Sequence, residues 1–229
     1  MNSHSRAARN GFSDLGNTHI RSTHKNPSSV LKRSFDVAVA FSALVFLAPM
    51  MLVIAFLIKN KDGGPALFEQ TRIGLNGEEF TCLKFRSMVT NAAEELDKLL
   101  KSDPAAAAEW AKDQKLRNDP RITHVGRFIR KTSLDELPQL LNILKGEMSI
   151  IGPRPIVANE VAKYGSDFQH YASVKPGVTG LWQISGRNDT TYAERVQLDV
   201  TYARDWSFGL DLKIMFLTVP AVLFSKGAY

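Results

Sequence analysis

Apolar and polar positions are distributed unevenly along the chain, and the first contrast is the sharpest. Residues 1–31 are rich in Ser, Asn, Arg and Gly and poor in apolar side chains, which predicts a disordered basic tail. From Val37 to Ile58 nearly every position is apolar, a run of about 22 residues that makes about 33 Å of helix, enough to cross a bilayer. Pro49 interrupts the run near its middle, and proline removes a backbone hydrogen bond and kinks or breaks a helix. Lys32 and Arg33 precede the segment and Lys59 and Lys61 follow it, so a simple span would carry one basic cluster across the membrane. A re-entrant hairpin over residues 32–61, bent at Ala48-Pro49, keeps both clusters on one side and is favoured over a kinked span. The length of the run disfavours a buried core helix. Asp36, expensive beside lipid, is expected to pair with Arg33 or a later cation, or to serve only as helix N-terminal charge. A secretory signal is excluded, because the run comes late and is followed by lysines instead of a cleavage site.

Shorter patterns succeed it. Ala66 to Ile73 and Glu78 to Arg86 flank Gly74-Leu75-Asn76-Gly77, and Asn-Gly between two mixed apolar runs predicts a β-hairpin. Strand alternation puts Phe80, Cys82, Lys84 and Arg86 on one face, so two cations project together as a phosphate site requires, or as a solvated strand end displays them. Helices are expected over Asn91 to Lys101 and from Asp103-Pro104 through Lys115. Leu212 to Phe224, interrupted by Pro220, is too short to span and predicts a core or interfacial helix.

The tract Ser133-Leu134-Asp135-Glu136-Leu137-Pro138-Gln139 carries the strongest suggestion of chemistry. Ser133 and Glu136 fit a capping box, which places two adjacent carboxylates in a first helical turn, where unpaired N–H groups favour the ionised form. Asp135 and Glu136 are then an anionic nucleophile or metal ligands, or no more than an acidic turn that stabilises its helix. Leu134, Leu137, Leu141 and Leu144 are the expected buried stripe, with Asp135, Gln139 and Asn142 on another face. Arg127, Arg130 and Lys131 lead into the dyad, able to hold a phosphate or to neutralise it. Gly152-Pro153-Arg154-Pro155 fixes the backbone around one guanidinium, a good clamp for a phosphoryl group. Lys175 to Gln183, continuing to Gly186-Arg187, is glycine-rich with Trp182 inside it, either a phosphate-approaching loop or a set of turn glycines.

Composition narrows the classes. A chain of 229 residues with net charge +6 points to acidic partners: phosphates, nucleic acid or an anionic membrane. Cys82 is the only cysteine, so no internal disulfide forms, and the five histidines show no zinc spacing. P-loop, dinucleotide-binding and serine-hydrolase signatures are missing, as is an Asp-x-Asp pair.

From Lys32 to Tyr229 the ordered set of motifs resembles the bacterial sugar transferase family, the monotopic polyprenyl-phosphate phosphoglycosyl transferases. The motifs are Lys32-Arg33-Ser34-Phe35-Asp36, Pro49, Lys84-Phe85-Arg86-Ser87-Met88, the Ser133 to Gln139 tract, Gly152 to Pro155 and Lys175-Pro176-Gly177. Within it the chain looks like the exopolysaccharide, succinoglycan-type galactose-1-phosphate transferases. The resemblance implies an α+β, mainly α fold, with a re-entrant membrane helix-break-helix, a small β-hairpin and amphipathic interfacial helices around a cytosolic catalytic domain over residues 62–229. It implies that the enzyme sits at the bacterial inner membrane and passes a sugar-1-phosphate, galactose or else glucose, from a UDP-sugar to undecaprenyl phosphate. Asp135 would attack the sugar-bearing phosphorus and expel UMP, and the polyprenyl phosphate would then attack the phosphosugar-aspartate. Glu136 would hold Mg²⁺, Arg154 and Arg130 would clamp phosphoryl oxygens, and Lys84, Arg86 and Arg187 rank next. Membrane lipid is an implied partner, nucleic acid is not, and no oligomeric state is specified. Two competing expectations are a metal-dependent transferase or hydrolase with no covalent step, and a basic membrane-anchored scaffold that binds anionic lipid without catalysis.

Overall fold

In the computed structural model, which describes residues 30–113, 116–185 and 190–223, the apolar run becomes helix α1, Val30–Asp62, with Pro49 inside it. The helix presents two different faces. Along one, Ala40, Ala43 and Leu44 pack with Leu140, Ile143 and Met148. Farther along the same stripe, Met50, Met51, Ile54 and Ile58 pack with Phe85, Ile129, Leu134 and Leu137. The other face carries Phe41, Val45, Phe46, Leu52, Val53 and Phe56, all exposed, Phe46 to 83%. It is the one helix among the described residues long and apolar enough to cross a membrane. An exposed apolar surface of that extent marks a membrane or partner contact.

The polar residues at the start of α1 turn inward and dock on segments more than a hundred residues further along the chain. Asp36 accepts from the Ser149 hydroxyl and the Ile150 N–H, both at 3.0 Å. Its expected pairing is thus replaced by hydrogen bonds to a distant strand, which answers how a carboxylate sits in an apolar helix. Arg33 donates to the carbonyls of Ile143 (2.6 Å) and Leu144 (2.9 Å). Lys32, 6% exposed, donates to Asp211 Oδ2 at 2.7 Å and to the Ile151 carbonyl at 3.0 Å. Expected from sequence to be flanking charge, Lys32 and Arg33 are instead docking groups.

The hairpin forms as expected. Strands β1 (Leu67–Ile73) and β2 (Glu79–Phe85) pair antiparallel, with Arg72 opposite Phe80, Gln70 opposite Cys82 and Phe68 opposite Lys84. Asn76 and Gly77 take positive φ at the turn, as Asn-Gly permits. Helices α2 (Ala92–Ser102) and α3 (Pro104–Asp113) come next. The Asp103 side chain accepts from the N–H groups of Ala105 and Ala106, and Pro104 occupies the first helical position, where its missing donor costs nothing. Helix α4 (His124–Lys131) is capped by Thr123, whose hydroxyl accepts from Gly126 N–H at 2.9 Å.

A three-residue 3₁₀ turn, Leu134–Glu136, separates α4 from α5 (Gln139–Lys145). The expected leucine stripe holds in part, since Leu134, Leu137 and Leu144 pack against the core, but Leu141 and the expected polar face depart from it. Leu134 and Leu137 precede α5, so a helical phase counted from Leu134 does not carry into it. The buried face of α5 is Gln139, Leu140, Asn142 and Ile143, while Leu141 is 37% exposed. Asn142 is wholly buried because its amide completes the outer edge of β2. Oδ1 accepts from Leu83 N–H (3.0 Å), and Nδ2 donates to the Thr81 carbonyl and to Glu147 (2.6 Å each).

Strand β3 (Ser149–Ile151) pairs parallel with β4 (Gly177–Thr179), with α6 (Ala158–Tyr164) and α7 (Phe168–Ala172) between them. Helices α8 (Leu181–Ile184), α9 (Tyr192–Arg204) and α10 (Phe208–Leu223) close the chain. On α10, Ile214 is fully buried while Phe216, Leu217 and Val219 are exposed. The result is mainly helical, with one small antiparallel sheet and one apolar N-terminal helix.

Candidate active site

Asp135 and Glu136 lie in the 3₁₀ turn, and the expected capping box does not form. Ser133 sits at φ +57° with no side-chain cap hydrogen bond. Glu136 turns away from it, because Lys84 Nζ donates to its Oε1 at 2.6 Å and Arg154 NH1 lies 3.9 Å from the same oxygen. Ion pairing with cations 52 and 18 residues away replaces the local cap.

Asp135 has the opposite environment. Burial and the negative charge of Glu136 push its carboxyl above the ordinary carboxylate range, with Lys84 and Arg130 pulling partly against them. The favourable field expected of a helix N-terminus is absent, since a three-residue turn contributes little dipole and burial dominates. A carboxylate held in this way is a stronger base and nucleophile once ionised.

The cations divide as follows. Lys84 projects from β2 toward the dyad. Arg86, expected beside it, does not, because the strand ends at Phe85. Its guanidinium forks onto Asp62 at the end of α1, with distances of 2.5 and 2.6 Å. Arg130 is the one cation of its tract turned inward; it donates from Nε to the Ser87 hydroxyl at 2.8 Å, while Arg127 and Lys131 are exposed. Close approach of α4 permits this, since a Cβ at Gly126 would run into the backbone of Ser87. Arg154 stands over the Trp182 ring at 5.8 Å. Arg187 lies outside the described residues.

The glycine-rich tract has a structural reason. Gly152 N–H donates to the Thr179 carbonyl and Gly177 N–H to the Pro153 carbonyl (2.9 and 2.8 Å), and a Cβ at Gly152, Gly177 or Gly180 would strike the facing backbone. This crossing brings Pro153-Arg154-Pro155 beside Trp182. A cleft between the hairpin and that loop is lined by Arg72, Cys82, Lys84, Glu136, Gln139 and Arg154 among others. Cys82 is buried, and burial raises its thiol, as expected of a small core residue. Sequence reading missed Arg72. Its signal was available, since hairpin register from the Asn-Gly turn puts Arg72 and Gln70 on the face that carries Cys82 and Lys84.

Two adjacent half-buried carboxylates, one of them ion-paired to Lys84 and Arg154, next to a helix with one exposed apolar face, suit a protein that handles phosphorylated substrates at a lipid surface. The family model for bacterial sugar transferases matches residues 27–225, and the chain belongs to that family. It is 52% identical over 205 residues to the undecaprenyl-phosphate galactose phosphotransferase of Salmonella typhimurium, covering 90% of this chain and 43% of that protein. It is also 52% identical over 200 residues to the exopolysaccharide production protein ExoY of Sinorhizobium fredii, covering 87% and 88%. A UDP-glucose:undecaprenyl-phosphate glucose-1-phosphate transferase of Klebsiella pneumoniae is 42% identical over 208 residues, covering 87% and 42%. The chain thus spans under half the length of two of these relatives and most of the third.

Proposed function

We propose that the protein transfers a sugar-1-phosphate from a UDP-sugar to undecaprenyl phosphate, the first step of exopolysaccharide assembly, with galactose as the sugar. The carrying observation is the adjacent Asp135 and Glu136, with Lys84 at 2.6 Å and Arg154 at 3.9 Å from Glu136 at the edge of a cation-lined cleft. Higher identity to the galactose than to the glucose enzyme supports the sugar. The ionised Asp135 attacks the sugar-bearing phosphorus; the bond to the UMP oxygen breaks and UMP leaves. The terminal phosphate oxygen of the lipid then attacks the same phosphorus, releases Asp135 and forms the diphosphate-linked sugar. Anion meets anion in both steps, so Lys84, Arg130 and Arg154 act chiefly by neutralising charge.

Mg²⁺ is part of this proposal. No group of three or more His, Cys, Asp or Glu suited to a metal occurs among the described residues, but the dyad meets the looser need of Mg²⁺ for one or two carboxylates plus substrate phosphates. Glu136 is the residue that would hold it, and the ion would supply further neutralisation of the diphosphate.

The membrane arrangement rests on docking. Lys32 and Asp36 at one end of α1 and Ile58 and Asp62 at the other all contact the same globular part. Both ends therefore belong on one side of the bilayer, the cytosolic side, where UDP-sugars are soluble. On this reading α1 dips into the lipid with its exposed face without crossing it; the expected break at Pro49 is not part of it, since the helix runs unbroken through that residue. The exposed Phe128 of α4 and Phe216 of α10 rest at the lipid interface.

The test is to incubate purified protein with labelled UDP-galactose and no lipid acceptor. The expected result is release of UMP and label on Asp135, which undecaprenyl phosphate then removes. No UMP without acceptor, together with full turnover by Asp135→Asn, would overturn the covalent mechanism, and a panel of UDP-sugars decides galactose against glucose.

A further inference from the structure

The cleft beside Glu136 is lined by more cations than carboxylates. Arg72, Lys84 and Arg154 line it, and Glu136 is its only lining carboxylate among the described residues. Lys84 and Arg154 both converge on Glu136. Arg72 has no such partner inside the cleft. Its NH1 donates to the Pro155 carbonyl at 3.0 Å and its NH2 to the Gln70 amide oxygen at 2.7 Å, while Glu160 stands 3.9 Å away. Its side chain is only 14% exposed, and both burial and nearby Arg154 pull the guanidinium below its usual proton affinity. Two guanidiniums held close together in a half-dry cleft are costly until an anion joins them.

We propose that Arg72 is a binding residue for the diphosphate of the donor nucleotide, reaching it together with Arg154 and Lys84. This rests on reading the site as a UDP-sugar transferase. The three cations that line the cleft outnumber its one lining carboxylate, Glu160 standing outside it at 3.9 Å from Arg72, and the diphosphate of a nucleotide sugar carries one negative charge on each phosphoryl. Two other inward-turned arginines do not line the cleft. Arg86 is neutralised by Asp62, and Arg195 lies against Trp182 and Tyr192 with Glu160 at 3.6 Å and Asp199 at 3.9 Å.

Arg72 also holds the Arg154 loop through the Pro155 carbonyl, and a graded set of ligands separates the two roles. Dissociation constants of uridine, UMP and UDP are measured for the full-length protein in detergent, as wild type, Arg72→Gln and Arg72→Lys. Loss of a charge-assisted phosphate contact should weaken UDP by about tenfold or more and UMP by less, with uridine within about twofold. Arg72→Lys, which keeps the charge but loses the fork, should fall between. Equal weakening of all three ligands, or unchanged UDP binding, overturns the assignment. Should Arg72→Gln fail to fold, the same gradient in Arg72→Lys decides, and its absence there counts against. A wild type that binds none of the three would instead remove the donor reading itself.

Discussion

Two places in this molecule set carboxylates against cations, and they do so in opposite ways. At the start of α1, Asp211 accepts from Lys32 (2.7 Å), Trp206 Nε1 (3.0 Å) and the Tyr202 hydroxyl (2.8 Å), all in the interior. Asp36 beside it is met by Ser149 and Ile150. At the dyad, Glu136 has its cations but Asp135 is left with burial and a like charge against it. The saturated cluster fastens the apolar helix α1 to the globular part. The unsaturated one leaves a carboxyl poorly solvated, which suits the nucleophile of the proposed function and which a purely structural ion pair avoids.

That contrast fails or holds by measurement. The largest effect should come from Asp135→Asn, which is expected to lower turnover by about 10³-fold or more in an assay of UMP release. Wild-type kcat/KM for the donor should fall as pH drops through a pKa above the ordinary 3.8 of aspartate, because the protonated carboxyl cannot attack. Next, Lys32→Met leaves Asp211 buried without its cation and should cost about 3–5 kcal/mol of stability, with Lys32→Met/Asp211→Asn recovering part of it. Nucleotide affinity of the folded protein should be unchanged; a loss of it would mean that the α1 cluster is not merely architectural. Lys84→Met removes the closest cation from Glu136 and should reduce kcat/KM by about 10²-fold, measured at saturating lipid.

A smaller effect tests the dyad from the other side. A carboxyl whose folded pKa is raised opposes folding at neutral pH, because the unfolded chain holds fewer protons between the two pKa values. Stability therefore falls as pH rises from the unfolded value to the folded one. Asp135→Asn should raise the melting temperature at pH 7, and the gain should vanish below pH 3.8, where both states are protonated. Least of all, Ser133→Gly should relieve the positive φ at the entry to the dyad and add about 0.5–1 kcal/mol in thermal unfolding.

Features that rest on neighbours in sequence were legible there. The Asn-Gly turn announced the hairpin and Asp103-Pro104 announced α3, while the paired carboxylates and the Pro-Arg-Pro loop, singled out separately, come together at Glu136 and Arg154. What escaped was set by pairs far apart. The hydrogen bonds from Lys32 to Ile151 and Asp211 and from Ser149 to Asp36 join residues 113 to 179 positions apart, and no local pattern marks them. Ser133 and Glu136 fit a local capping rule, yet Lys84 and Arg154 outcompete it with full charges. Arg86 comes two residues after Lys84, but the strand stops before it and Asp62 takes it. Arg72 was findable only by combining alternation with register across the turn.

Asn142 gives the hairpin something a two-stranded sheet otherwise lacks. With one amide it fills the hydrogen-bonding slots at Thr81 and Leu83 that a third strand would occupy. An open edge of that kind is a template on which a second chain can anneal. Asn142 closes it without adding a strand, so resistance to edge-to-edge aggregation and the placement of α5, just beyond the dyad, depend on the same side chain.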